Sequence, residues 1–77
     1  MSSNLGRLIR KARRMRDLTQ EEVAQMAGIS RSLVASIETG ISTPSLATLK
    51  KIALALDIPS SELSAALLIE SKQEAPQ

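Results

Sequence analysis

Apolar residues recur along this chain at helical spacing, and residues that stop helices interrupt them at short intervals. Leu5, Leu8, Ile9, Ala12 and Met15 form one stripe, which predicts a first helix over about 3–16 whose other faces are basic. Asp17-Leu18 breaks that pattern. Thr19-Gln20-Glu21-Glu22 reads as a capping box, in which the threonine oxygen accepts from the amide three residues on and Glu22 reaches back. The second helix is expected over 20–27 and stops at Gly28, a residue that takes the left-handed conformation of a tight turn without steric cost. Ser30 caps a third helix over 31–38, which Gly40 closes. Ile41 to Pro44 is a loop. Ser45 then caps a fourth helix over 46–56, with Leu46, Leu49, Ile52, Ala53 and Leu56 on one face. Asp57-Ile58-Pro59 interrupts it, and Ser60 opens a fifth helix over 60–69 carrying Leu63, Ala66 and Leu67. Nothing alternates as a strand does. The expectation is an all-α domain over 1–70, a compact five-helix bundle, followed by a flexible polar tail over 71–77.

Helices two and three are the most informative pair. Their apolar positions are Val23, Ala24, Ala27, Ile29, Val34 and Ile37, on either side of a turn with a single glycine. Val23 and Ala27 face inward, Ala24 is small enough for the helices to cross closely, and Val34 and Ile37 lock the second helix on the first. This is the spacing of a helix-turn-helix, whose second helix projects.

The run Leu18-Thr-Gln-Glu-Glu-Val-Ala-Gln-Met-Ala-Gly-Ile-Ser-Arg-Ser-Leu-Val-Ala-Ser-Ile-Glu-Thr-Gly40 resembles the signature of the lambda-repressor-like, Xre/Cro-type DNA-binding domains. Pro44, Leu49, Ile52-Ala53 and Leu56 fit the same pattern, and the resemblance extends over about Leu5 to Ile69. It implies a transcriptional regulator, most simply a repressor, whose third helix enters the major groove of double-stranded DNA. It implies that Arg31, Ser32 and Ser36 face the groove, with Ser30 beside them at the helix start. Gln20 would bond a phosphate and brace the third helix, Arg13 would pair with Glu38, and the loop from Thr39 through Ser42 and Thr43 to Ser45 would approach a phosphate through amides and hydroxyls. Many relatives carry Lys or Arg in that loop. Here Ile41-Ser42-Thr43 is uncharged, which shifts the expected phosphate grip toward Arg10 and Arg13.

The residues add detail to these roles. Ser32 and Ser36 are four apart and share a face, which Arg31 flanks. Arg31 has the fork that bonds guanine O6 and N7 together, and it is either that base reader or a phosphate clamp. The serines are short and tolerant of base identity, so the expected code is sparse and leans on water and DNA shape.

Charge sharpens the picture. The net charge is only +2, but six of the ten basic residues (Arg7, Arg10, Lys11, Arg13, Arg14 and Arg16) precede the first acid, Asp17. They form either a solvated helix face or a phosphate-facing patch. Arg10 falls on one stripe with Arg13, and Arg7, Lys11 and Arg14 on another. Glu21 and Glu22 suit a helix N-terminus, or form an acidic patch toward RNA polymerase. Met15 and Met26 are expected to fill the core.

Composition narrows the alternatives. Hydrophobic residues make up 43% of the chain, too many for a disordered one. No aromatic residue is present, which excludes recognition by base stacking. No cysteine or histidine is present, so no disulfide, thiolate or ordinary metal site is available, and no cofactor, small-molecule ligand or enzymatic activity is expected. Apolar stretches such as Ala65–Ile69 are far below the ~20 residues of a membrane span. Arg and Lys interrupt the early apolar runs, and the expected location is the cytoplasm. So small a domain gains from association. Leu63, Ala66 and Leu67 are expected to pack on the domain, and Leu67, Leu68 and Ile69 to form the seam of a homodimer reading a palindrome. Leu68 and Ile69 could instead cover their own core. A second functional class also fits: an antitoxin whose tail, Glu70 to Gln77, folds on a toxin partner while DNA binding autoregulates its operon.

Overall fold

A computed structural model describes residues 3–74, with side chains from 3 to 67. The described residues form five helices: α1 (Asn4–Met15), α2 (Gln20–Ala27), α3 (Arg31–Thr39), α4 (Leu46–Leu56) and α5 (Ser60–Glu74). α1 packs against α3, α4 and α5, and α2 against α3 and α4. The core is aliphatic throughout. Leu5, Ile9, Val23, Val34, Ile37, Leu49, Ile52, Leu56 and Ile58 are buried, with Ala12, Ala24 and Ala27 where elements approach.

The boundaries are set by local chemistry. Ser3, Thr19, Ser30 and Ser45 cap α1 to α4, each side-chain oxygen accepting from the amide three residues on. The box at Thr19 is closed in both directions, Glu22 N to Thr19 Oγ1 at 3.0 Å and Thr19 N to Glu22 Oε1 at 2.8 Å. The far ends of the same four helices share one device. A left-handed residue (Asp17, Gly28, Gly40 or Asp57) is followed by an apolar one (Leu18, Ile29, Ile41 or Ile58) whose amide reaches back to a carbonyl of the last turn. Leu18, Ile29 and Ile58 pack on the core, which anchors each turn. Ile41 does not, and is 81% exposed.

Four expectations change. Met15 and Met26 are exposed rather than core. Met15 is the last residue of α1 at the margin of its stripe. Met26 lies to one side of the narrow stripe that Val23, Ala24 and Ala27 bury, and small residues at 24 and 27 draw α2 in on that side. Leu46, the first residue of α4, is also exposed, and Leu67 is 39% exposed rather than packed like Ala66. The fifth helix does not stop at 69 with a tail from 71. Ser71, Lys72, Gln73 and Glu74 continue it, because no glycine or proline intervenes to end the backbone ladder.

Two elements approach closely at Gly6. A methyl group there would lie 2.6 Å from the carbonyl oxygens of both Ile37 and Glu38, so α1 meets the end of α3 backbone to backbone. Isolated glycine inside a helical pattern weakens the helix, and the gain here is this contact. Gly6→Ala would raise intrinsic helix propensity by about 1 kcal/mol, yet it should lower unfolding free energy by roughly 1–3 kcal/mol through overpacking. Urea or thermal unfolding reads the sign, and a stabilised variant contradicts the close contact.

Candidate nucleic-acid interface

α3 has two unlike sides. Val34, Ile37 and Glu38 are buried and Leu33 packs on the core. On the opposite side, at about 100° per residue, lie Arg31, Ser32, Ala35, Ser36 and Thr39. Arg31, Ser32 and Thr39 are exposed, and Ala35 and Ser36 half-buried. The outward side is therefore one long cation at the helix start followed by short side chains, a profile that lets the backbone come near another surface.

Glu38 is the centre of the inner side. Its carboxylate is fully enclosed and takes four donors from three side chains. Arg13 Nε donates to Oε2 at 2.7 Å and Arg13 Nη2 to Oε1 at 3.1 Å, a forked pair. Gln20 Nε2 donates to Oε1 at 3.2 Å. Arg10 Nε stands 3.5 Å from Oε1, and Arg10 Nη2 bonds the Glu38 carbonyl at 3.4 Å. Arg13 Nη1 also donates to the Leu18 carbonyl at 2.9 Å, which ties the α1–α2 turn to the cluster. One carboxylate thus joins α1, the start of α2 and the end of α3.

Burial is the largest influence on Glu38 and opposes its ionisation. The hydrogen bonds from Arg13 and Gln20, the charge of Arg13 and the bond from Arg10 outweigh it and hold the carboxyl below the ordinary value of 4.5. The bond to Glu38 raises Arg13 in turn, against the pull of burial.

The remaining residues singled out from sequence fall as follows. Ser30 Oγ accepts from Leu33 N at 3.1 Å, so its own proton is free to donate outward. Gln20 keeps one amide hydrogen beyond the bond to Glu38. The Thr39 hydroxyl is turned onto its own helix, at 3.1 Å from the Ala35 carbonyl and 3.2 Å from that of Ser36. The amides of Gly40, Ile41 and Ser42 also turn back onto α3 carbonyls, so the expected phosphate grip through these loop amides is closed by the helix end itself. Ser42 is half-buried and Thr43 exposed. The side chains of Leu68 and Ile69 lie outside the described residues. The Gln20 bond to Glu38 braces α3 as expected. Sequence reasoning missed Gly6, the engagement of Arg10 by Glu38, Ala35 on the outward side, and Arg16, whose guanidinium donates to the Ala12 and Asp57 carbonyls at 3.1 and 3.4 Å.

Residues 9–63 match the family model described as helix-turn-helix. The chain belongs to the helix-turn-helix family, of the Xre, lambda-repressor-like kind. It is 42% identical over 65 residues to the HTH-type transcriptional regulator RghRB of Bacillus subtilis, an alignment covering 83% of this chain and 47% of that protein. It is 44% identical over 54 residues to the immunity repressor protein of Bacillus phage phi105, covering 70% of this chain and 38% of that one. The chain thus spans less than half the length of either relative. Among solved structures it is similar to the restriction-modification controller protein C.AhdI of Aeromonas hydrophila, with a TM-score of 0.74, 38% identity, and 78% of this chain and 91% of that one covered. Among the described residues no helix of this helix-turn-helix protein is long and apolar enough to cross a membrane.

Removing the Glu38 charge strands two cations at a helix junction. Glu38→Gln should lower stability at neutral pH by roughly 3 kcal/mol or more. A depressed carboxyl contributes stability above its unfolded value, and that contribution is lost as pH falls through the folded one. The gap between wild type and Glu38→Gln should therefore be full at neutral pH and shrink below about 4.5, the ordinary value. Urea titrations at a series of pH values test this, and a gap that does not change with pH excludes an ionised Glu38.

Proposed function

We propose that this protein is a sequence-specific transcriptional regulator of double-stranded DNA, acting as a homodimeric repressor on a palindromic operator. The observation that carries the reading is the division of α3. Its inner side is locked by Val34, Ile37 and the Glu38 cluster, while Arg31 projects from its outer side with no ion-pair partner among the described residues. A rigid helix with short outward side chains suits the major groove, about 12 Å wide. The phage immunity repressor and the HTH-type regulator among its relatives support a regulatory task.

In this reading Arg31 bonds a guanine edge, and Ser32 and Ser36 contact neighbouring bases directly or through water. Ser30 and Gln20 donate their free hydrogens to the backbone, and Arg10 and Arg13 add charge beside them. Thr43 and Ser42 contribute hydroxyls from the loop. Thr39 serves through its methyl group, because its proton is held by α3. The task requires the compartment that holds the DNA, the cytoplasm expected from sequence.

The dimer surface proposed here is wider than the seam of Leu67, Leu68 and Ile69. Leu46, Leu54 and Leu67, with exposures of 68, 83 and 39%, line one groove between α4 and α5 together with Leu63 and Ala53. An apolar face of this kind on a small domain favours a partner, and a two-fold pair would set recognition helices about 34 Å apart.

Selection from a random duplex library should return a palindrome with guanine in each half-site. Arg31→Ala should relax that base and cost roughly 1–3 kcal/mol on the selected site. A library that returns no enriched sequence contradicts sequence-specific binding. Leu54→Lys should shift sedimentation from dimer to monomer and weaken operator binding, while an unchanged mass would remove this face as the dimer surface.

A further inference from the structure

α1 carries more positive charge than the helix-turn-helix uses. Glu38 engages Arg10 and Arg13, and the carbonyls of Ala12 and Asp57 engage Arg16. Arg7, Lys11 and Arg14 are exposed, and their side chains have no hydrogen bond or ion pair among the described residues. With Arg10 they line one shallow groove that ends at Met15.

Stability does not account for this row. Arg7 and Lys11, and likewise Arg10 and Arg14, stand four apart, where like charges weaken a helix. Asn4–Met15 contains no acid to relieve them. α2 and α5 place Glu21, Glu22 and Glu62 in their first turns, as the helix dipole favours; α1 has Arg14 in its last turn, where the dipole favours it, and Arg7 one turn from its start, where it does not. An arrangement that costs the free chain stability in this way suits a polyanion that neutralises it. The chemistry of the row points to phosphate, since two of its three free cations are guanidinium groups, which match phosphate oxygens in a forked geometry.

Position points the same way. Arg10 bonds the carboxylate that also holds Gln20, and Arg7 and Arg14 flank Arg10 about one turn to either side. The row therefore borders the proposed DNA surface at Arg10 and runs along α1 to either side, over about 10 Å. We infer that Arg7, Lys11 and Arg14 form a second, sequence-independent phosphate contact that grips the duplex outside the half-site faced by α3. The inference rests on the proposed DNA-binding function and extends it. The row adds length of bound duplex and salt dependence, and leaves base choice to α3.

The test compares the full chain with the triple variant Arg7→Gln/Lys11→Gln/Arg14→Gln on two duplexes, by fluorescence anisotropy across a salt series. One duplex is the selected operator trimmed to its half-sites, and the other carries about ten more base pairs, one helical turn, on each side. The wild type should bind the extended duplex several-fold more tightly than the trimmed one. The variant should bind the trimmed duplex much as wild type does, show no gain on extension, and lose about 2–3 from the slope of log affinity against log salt per bound copy of the chain. Arg7→Lys/Arg14→Lys should keep most of that slope. Unfolding curves should show the triple variant at least as stable as wild type, which separates a lost contact from a lost fold. Equal affinities and slopes for wild type and variant on the extended duplex overturn the inference and leave the row to an acidic protein partner. A wild type with no preferred duplex overturns the DNA-binding function itself, a distinguishable result.

Discussion

Where α1 crosses the end of α3, two backbones come within a methyl group's width and one enclosed carboxylate takes bonds from three side chains. The two facts depend on each other. Gly6 removes the side chain that would hold the helices apart, and the approach this permits brings Arg10 and Arg13, one and two turns further along α1, to Glu38. A buried carboxylate alone would be strongly unfavourable. With a forked arginine, a second arginine and an amide around it, its charge is met on every side, and the cluster becomes a joint among three helices. The orientation of α3 relative to α1 and α2 follows from that joint as much as from the aliphatic core beneath it.

The same joint carries the functional argument. Gln20 is held by Glu38 while it keeps a second hydrogen for an outside acceptor, and Arg10 stands at the border between the cluster and the open cation row of α1. The buried carboxylate of α3 is thereby connected to the exposed edges of α1 and α2 through single side chains. The end of α3 closes on itself through left-handed Gly40, by the same device as the other three helix ends. The amides of Gly40, Ile41 and Ser42 are bonded back to α3, while those of Thr43 and Ser45 are not.

Most of the fold was legible because it is written locally. Ser or Thr before each of the first four helices, and Gly or Asp with an apolar neighbour after each, are signals contained in four or five residues, and the structure uses them all. What escaped the sequence was what depends on distant residues meeting. Gly6 looks like a weak point in α1 until the carbonyls of α3 are set against it. Arg13 and Glu38 could be paired through family resemblance, but nothing in the spacing of Arg10 or Gln20 says that they converge on the same carboxylate. The methionines misled for another reason. Period alone puts Met15 with the core stripe of α1, yet residues at the end and margin of a stripe are buried only if another element extends over them, and none does here. α5 runs past 69 to Glu74 because the helical ladder requires only residues that do not break it, polar ones included.

The circumference of α3 is split between two independent tasks. Residues 33, 34, 37 and 38 answer to the rest of the protein, the exposed residues 31, 32 and 39 to nothing inside it beyond the helix backbone, and Ala35 and Ser36 lie half-buried between them. Random change on the outer half is therefore nearly free of consequences for folding, while the inner half is constrained by every helix it touches. A lineage built on this domain can therefore vary the exposed face of α3 through viable intermediates while keeping one architecture.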